Sequence, residues 1–303
     1  MNIPLFQVKK ICNIEAKINE LFESGRVAHG EYVTKFEAML GAYIGSQYTL
    51  ATSEMSSSIA MCLYVSGVRP GDEVLMSPLV CLATSCPVKN IFANIVWCDV
   101  NPKTGNLDPD DIARKITPKT KAIMVVHYAG IPARMKEIRE VADKFNIPII
   151  EDCAHALGAL YAGEGIGNIG DFAIYSLQAI KHMTTVDGGI LVCKNQDLIP
   201  HLKRFRWFGL QKGIPRTEVD ITSIGYKYNM NNVAATIGLT QLKTIRESVI
   251  NLHKQNGKFF DNEISKIPGL SVATFDEFSE PSYWLYTILS DDSDSVERLL
   301  ASI

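Results

Sequence analysis

The sequence has 303 residues, 47% of them hydrophobic and 21% charged, with a formal net charge of −3. That length suits one large domain and part of a second. The near-neutral balance, with no basic block and no aromatic-basic interleaving, argues against a nucleic-acid groove, and the lack of any run of about 18 apolar residues argues against a spanning helix.

The N-terminus, MNIPLFQVKK, has no signal-peptide core. Residues 9 to 24 place Ile11, Ile14, Ile18, Leu21 and Phe22 at the spacing of an amphipathic helix that stops near Ser24-Gly25. After a loop through Gly30, a second helix carries Val33, Phe36, Met39 and Leu40 as its apolar stripe. Thr49 to Ser53 is a short strand, and Met55-Ser56-Ser57-Ser58 opens a helix running to about Ser66, with Gly67 as its stop. Glu73 to Met76 is a strand, Leu82 to Asn90 a helix and Asn94 to Asp99 a strand. Asp108-Pro109-Asp110-Asp111 is a capped helix start. Ala122 to His127 is a continuous apolar strand, 133 to 145 a helix, and Ile147 to Glu151 a strand ending in Asp152. Short strands between helices predict an α/β fold with a mostly parallel sheet. Ligands in such sheets collect at the carboxyl ends of strands.

The stretch from Asp171 to Cys193 reads as strand, loop and strand, with Gly188 and Gly189 turning the chain back. Residues 197 to 210 predict a helix with a basic side, where Lys203, Arg204 and Arg206 either form a solvated face or meet a diphosphate; Leu210 to Ser223 is a long polar loop. Asn232 to Leu242 is an Ala-rich helix that continues through 255 as a connector, and Leu270 to Ala273 and Tyr283 to Leu289 are strand candidates of a smaller domain. The expected division is a large domain over 1–235 and a linker helix with a partial small domain over 236–303. Cys12, Cys62, Cys81, Cys86, Cys98, Cys153 and Cys193 are odd in number and scattered, mostly in apolar runs. They read as free, buried thiols of a reducing cytosol, and no second pair joins Cys81 and Cys86 into a zinc set.

Most candidate site residues admit more than one reading. Lys181, in a connection without helical period, is either a solvated surface group or a lysine in a cleft, where a desolvated amine can form a Schiff base. Ser56 and its neighbours either cap a helix or hold a phosphate at its N-terminus; no GxGxxG or GxxxxGK[ST] is present. Asp152 either satisfies a loop backbone or keeps a bound heteroaromatic nitrogen protonated. His155 either lies over such a ring, orients Asp152, or is a packed histidine. Ser176 could join a phosphate cup, and His182 is a neighbour rather than a base.

The motifs FESGRVAHGEYVTKFEAMLGAYIG, GDEVLMSP, EDCAHALGA, GDFAIYSLQAIKHMTTVDGGILV, GYKYNMNNVAATIGLTQL and SYWLYTIL, in this order over almost the whole chain, resemble the DegT/DnrJ/EryC1/StrS family of sugar aminotransferases, which use pyridoxal 5′-phosphate and have the aspartate-aminotransferase fold. The resemblance implies a three-layer α/β/α large domain with a mostly parallel mixed sheet, plus a smaller, incomplete C-terminal α+β domain, since relatives run on beyond SYWLYTIL. It implies Lys181 as the Schiff-base lysine, Asp152 as the partner of the pyridine nitrogen, and His155 near the ring. Met55, Ser56 and Ser176 match the phosphate site, where relatives commonly carry Gly-Thr in place of Met55-Ser56. Leu82 matches the position of the usual stacking aromatic. Lys227, in the GYKYNM segment, stands where relatives carry Asn, on a stretch that reaches the neighbouring subunit's phosphate. The implied activity is transamination of a nucleotide-linked keto-deoxysugar at C3 or C4 with L-glutamate as donor, by a cytoplasmic homodimer serving polysaccharide or lipopolysaccharide synthesis, with no metal. A histidine at position 181 would mark the dehydrating branch of the family, and lysine stands there. Two alternatives stay open: the same chemistry on another keto substrate such as a keto-cyclitol, and a shortened paralogue that binds the cofactor without turnover.

Overall fold

The computed structural model describes residues 13–290 together with Val8, Lys10, Ile11, 292–294, 296 and 297. Cys12, most of the MNIPLFQVKK start and the end of the chain lie outside the described residues. The first helix, α1 (Ile14–Glu23), begins later than its apolar pattern suggests. Helix α2 (Glu31–Ile44) buries Val33, Phe36 and Leu40 and ends at Gly45 in the left-handed region.

Strands and helices then alternate: β1 (Thr49–Thr52), α3 (Met55–Val65), β2 (Glu73–Met76), α4 (Leu82–Asn90), β3 (Asn94–Trp97), α5 (Pro109–Lys115), β4 (Thr120–Val126), α6 (Met135–Phe145) and β5 (Ile149–Asp152). The start of α5 is the one its sequence predicts: the Asp108 side chain accepts the N–H of Asp110, and Pro109 fills the first turn. A small hairpin, β6 (Leu160–Tyr161) and β7 (Glu164–Gly165), precedes the antiparallel neighbours β8 (Phe172–Ser176) and β9 (Gly189–Cys193).

Seven strands form one sheet in the order β1-β9-β8-β5-β4-β2-β3. The pairs from β3 through β8 are parallel, and only β9 runs against the rest. Side chains alternate between two cores. Leu75, Ile123, Val125, Ile149 and Ile190 join Phe36 and Ile138 on one face. Val74, Met76, Met124, Ile150 and Leu191 join Ile59 and Val88 on the other. A sheet buried on both faces explains the unbroken apolar run of β4, and the α/β, mostly parallel expectation holds.

Helix α7 (Ile199–Phe205) is shorter than the predicted 197–210, because Phe208 and Gly209 take positive φ and turn the chain. Arg206 also departs from the predicted solvated face. It is buried, pairs with Glu37 at 2.5 Å and donates to the Ala51 carbonyl at 2.7 Å. The polar stretch after residue 210 is a loop with one 3₁₀ turn, Arg216–Glu218. Helix α8 (Asn232–Leu242) is followed by a turn at Lys243 and Thr244, one π-helical stretch Arg246–Ile250, and α9 (Asn251–Ile264). The connector therefore runs further than predicted. Strand β10 (Leu270–Val272) pairs with β12 (Ile288–Ser290), and β11 (Ser279–Glu280) pairs with β6. The predicted strand from Tyr283 shrinks to β12 because its first half bonds elsewhere: Ser282 N–H donates to Gly130 at 3.0 Å and Leu285 N–H to Ala129 at 3.2 Å. Among the described residues no helix is long and apolar enough to cross a membrane.

Candidate active site

Every strand of the main sheet except β9 points its carboxyl end the same way, and a cleft of about 550 Å³ opens there. Its walls come from the segments that leave these strands: Glu54, Met55 and Ser56 after β1, the 79–84 turn after β2, Val126 and Tyr128 after β4, Asp152 and His155 at β5, and Ser176 and Lys181 after β8. Asp187, just before β9, closes the ring. This is the location general to open α/β sheets, where loops diverge and leave a crevice.

Asp152 ends β5 and is 2% exposed. Thr84 donates its hydroxyl to one carboxylate oxygen at 2.7 Å, and the Ala154 N–H reaches the other at 3.0 Å. Burial raises its pKa above the usual carboxylate value; the two hydrogen bonds and the Lys181 charge oppose that rise. The neighbouring Glu151 is the structural member of the pair. It accepts from His127 at 3.0 Å and from the N–H groups of Gly167, Ile169 and Gly170 at 2.5–3.0 Å, so it ties down the loop before β8 and takes no part in the cleft. His127, Glu151 and Cys153 lie close together. His127 is occupied on both ring nitrogens, by Glu151 and by the Ala133 N–H at 3.0 Å.

Lys181 sits on the loop between β8 and β9, partly buried, so the reading as a solvated surface group fails. Burial lowers its pKa, and Asp152 partly restores it. Its ammonium lies 3.9 Å from the centre of the Trp284 ring. His155 stacks on the same indole at 4.0 Å with an interplanar angle of 14°, and burial pushes its pKa down to about 3. His155 therefore does not orient Asp152; Thr84 and Ala154 do. His182 points away into the protein beside His253, with its pKa lowered by burial to about 3.

Helix α3 presents its N-terminus to the cleft without a side-chain cap, so no serine caps it. Ser57 instead donates to Glu54. The first N–H groups of an uncapped helix, with Ser56 and Ser176 both lining the cleft, suit a phosphate. Gly189 makes this approach possible: a Cβ there would stand 2.5 Å from the Glu54 carbonyl oxygen. The turn of this loop, however, is made by Val186 at φ 74 and not by the two glycines expected to make it.

The structure thus brings Met55, Ser56, Asp152, His155, Ser176 and Lys181 to one cleft. It does not bring Leu82, which is 74% exposed at the start of α4, while Cys81 and Thr84 beside it face the cleft. The sequence register at this turn is one residue off, since the turn's length sets which side chain points inward. Cys81 and Cys86 are exposed, contrary to the expectation of buried thiols, whereas Cys62, Cys98, Cys153 and Cys193 are buried and free. Lys227 lies exposed on an extended segment, bridged to Trp207 and outside its own chain's cleft. Trp284, Thr84 and Cys81 carry no local signal that marks them as site residues, because they arrive from 68 to 132 residues away from Lys181 and Asp152 and only the fold assembles them.

The family model of the DegT/DnrJ/EryC1/StrS aminotransferases matches residues 9–303. The chain belongs to this family. It is 32% identical over 275 residues to GDP-perosamine synthase of Caulobacter vibrioides, covering 89% of this chain and 72% of that protein. The fold is similar to that of the sugar aminotransferase CalS13 of Micromonospora echinospora, with a TM-score of 0.93 and 33% identity, over 99% of this chain and 84% of that one. It is also similar to the PMP-form of Spr1654 of Streptococcus pneumoniae, with a TM-score of 0.89 and 25% identity, over all of this chain and 82% of the other. Sequence motifs, sheet order and cleft position therefore agree on an aminotransferase of this family.

Proposed function

We propose that this chain is a pyridoxal 5′-phosphate-dependent aminotransferase that places an amine at C3 or C4 of a nucleotide-linked keto-deoxysugar, with L-glutamate as donor. The observation that carries the reading is the meeting, in one cleft, of a partly buried lysine, a buried carboxylate and an uncapped helix N-terminus flanked by serine hydroxyls. These three features match the aldehyde, the pyridine nitrogen and the phosphate of that cofactor. When bound, the cofactor supplies an electron sink for the carbanion formed at the substrate carbon.

The remaining work falls to the protein's own groups. Burial lowers the Lys181 pKa, which favours the neutral amine that a nucleophile and proton carrier needs. Asp152, fixed by Thr84 and Ala154, offers its charge to the protonated ring nitrogen; a carboxylate destabilised by burial gains most from such a cation. Ser56, Ser176 and the start of α3 hold the phosphate and so set the register of the ring against Lys181. His155 stays neutral and contributes an aromatic face. Similarity to GDP-perosamine synthase supports a nucleotide sugar as acceptor.

The reading extends to assembly. Lys227 lies outside its own cleft, and Tyr226, Ile224 and Ile221 beside it are exposed. We assign this segment to the cleft of a second copy in a cytoplasmic homodimer, where the ammonium meets a phosphate as a point charge. Residues 1–235 form the cofactor domain in this reading, and 236–303 the linker helix and small-domain residues.

The test is chemical. Pyridoxal 5′-phosphate added to the protein should give a visible band, borohydride should fix the label on Lys181, and L-glutamate should discharge the unreduced form with release of 2-oxoglutarate. A label on another lysine, or a band unchanged by every common amino acid, overturns the assignment.

A further inference from the structure

The segment 282–285 does more than join β11 to β12. Its backbone is pinned to the turn after β4 at Gly130 and Ala129, and the Ser282 hydroxyl donates to the His155 carbonyl at 3.2 Å. Behind it, Tyr283 packs on Gly257 of α9 and donates its hydroxyl to Asp261 at 2.7 Å. These contacts set the Trp284 ring against Lys181. Its Nε1–H donates to the Ile180 carbonyl at 3.1 Å, its ring stacks on His155 at 4.0 Å, and the Lys181 ammonium lies 3.9 Å from its centre.

We propose that Trp284 is a positioning residue for Lys181. It holds the backbone before the lysine with one bond and the freed ammonium with its π face. A lysine stem has four rotatable carbons, and a proton carrier that wanders between turnovers loses effective concentration. An indole face attracts a cation without forming an ion pair that would have to break. The neutral amine leaves the face readily, because only the charged form is attracted. This inference rests on Lys181 being the cofactor lysine.

The experiment compares wild type with Trp284→Phe and Trp284→Leu, with Trp284→Met in place of Leu should the latter fail to fold. The pH midpoint for attachment of pyridoxal 5′-phosphate to Lys181 is read from the borohydride-fixed label, and the glutamate half-reaction is followed in single turnover. Removing the π face withdraws stabilisation of the ammonium, so the Leu variant should move the midpoint down by about half a pH unit and slow the half-reaction. The Phe variant should restore part of both. Trp284 fluorescence, isolated by difference from the Phe variant, should be quenched when the cofactor is loaded. An unchanged midpoint in the Leu variant, or Phe and Leu variants equally impaired with the wild-type midpoint, overturns the proposal and leaves a structural tryptophan. Wild-type protein that takes no label on Lys181 overturns the cofactor reading itself, and this inference with it.

Discussion

At the residue level, the cleft separates groups that titrate from groups that only shape. In the proposed reaction Lys181 is both the cofactor's anchor and the proton carrier, so in Lys181→Ala the glutamate half-reaction should fall by about 10²–10⁴-fold or more, while spectral titration should still show non-covalent cofactor binding through Ser56 and Ser176. Asp152→Asn should keep the label on Lys181 but slow the half-reaction in the same stopped-flow assay. The histidines behave differently. Burial holds His29 at about 4 and His155 and His182 at about 3, against 6.5 for each in an open chain. The unfolded chain therefore binds more protons below pH 6.5, and the sign of the linkage is that stability is complete above 6.5 and is lost as pH falls toward the folded values. His155 and His182 each cost about 1.4 kcal/mol of stability one pH unit below 6.5, and the more exposed His29 costs less, because solvent screens it. Urea midpoints should drop between pH 7.5 and 5.5, and His182→Gln should flatten part of that slope. Val186 supplies a third case. A β-branched, 67% exposed residue at φ 74 is strained and buries little. Val186→Gly should stabilise the fold by about 1 kcal/mol, strain relief outweighing the added chain entropy, as read from the thermal midpoint.

At the level of elements, helix α9 and the 282–285 segment fit together only because residue 257 has no side chain. A Cβ there would stand 2.4 Å from the Tyr283 ring. Gly→Ala in a helix interior normally gains up to about 1 kcal/mol, but overpacking costs about 1–3 kcal/mol, and the clash here involves a ring anchored through its hydroxyl to Asp261. Gly257→Ala should therefore destabilise the fold, and by moving Tyr283 it should disturb Trp284 and Lys181 as well. The check is a lowered urea midpoint together with a slower glutamate half-reaction. The edge strand β1 is held by a comparable device. Glu37 of α2 accepts from Ala51 N–H at 2.8 Å, and Arg206 after α7 bonds both Glu37 and the Ala51 carbonyl. Two helices thereby satisfy the open edge of the strand that leads into the Ser56 turn.

For the whole molecule, the placement of Lys227 supports the proposed assembly. It is exposed and lies outside the cleft that its own chain builds. Sedimentation in the presence of pyridoxal 5′-phosphate should give a dimer, and Lys227→Ala should weaken cofactor binding without moving the borohydride label from Lys181. A monomer carrying wild-type cofactor affinity contradicts the shared site.

Element types and their order were legible from local chemistry: the apolar run of β4, the cap at Asp108, the stripe of α2. Lys181, Asp152, Ser56 and Ser176 stand out because each sits at the end of a strand or in the segment that follows one, and the family's ordered motifs mark the same positions. Hydrophobic period and turn chemistry act over a few residues, so a linear pattern carries them. What needed tertiary structure were facts set by contacts far apart in the chain. Leu82 points out while Cys81 and Thr84 point in, because the length of a turn fixes facing. Arg206 is buried, because Glu37 comes from another helix. Trp284 joins the site, because backbone bonds to Gly130 and Ala129 stop the strand that its sequence favours and turn the indole toward Lys181.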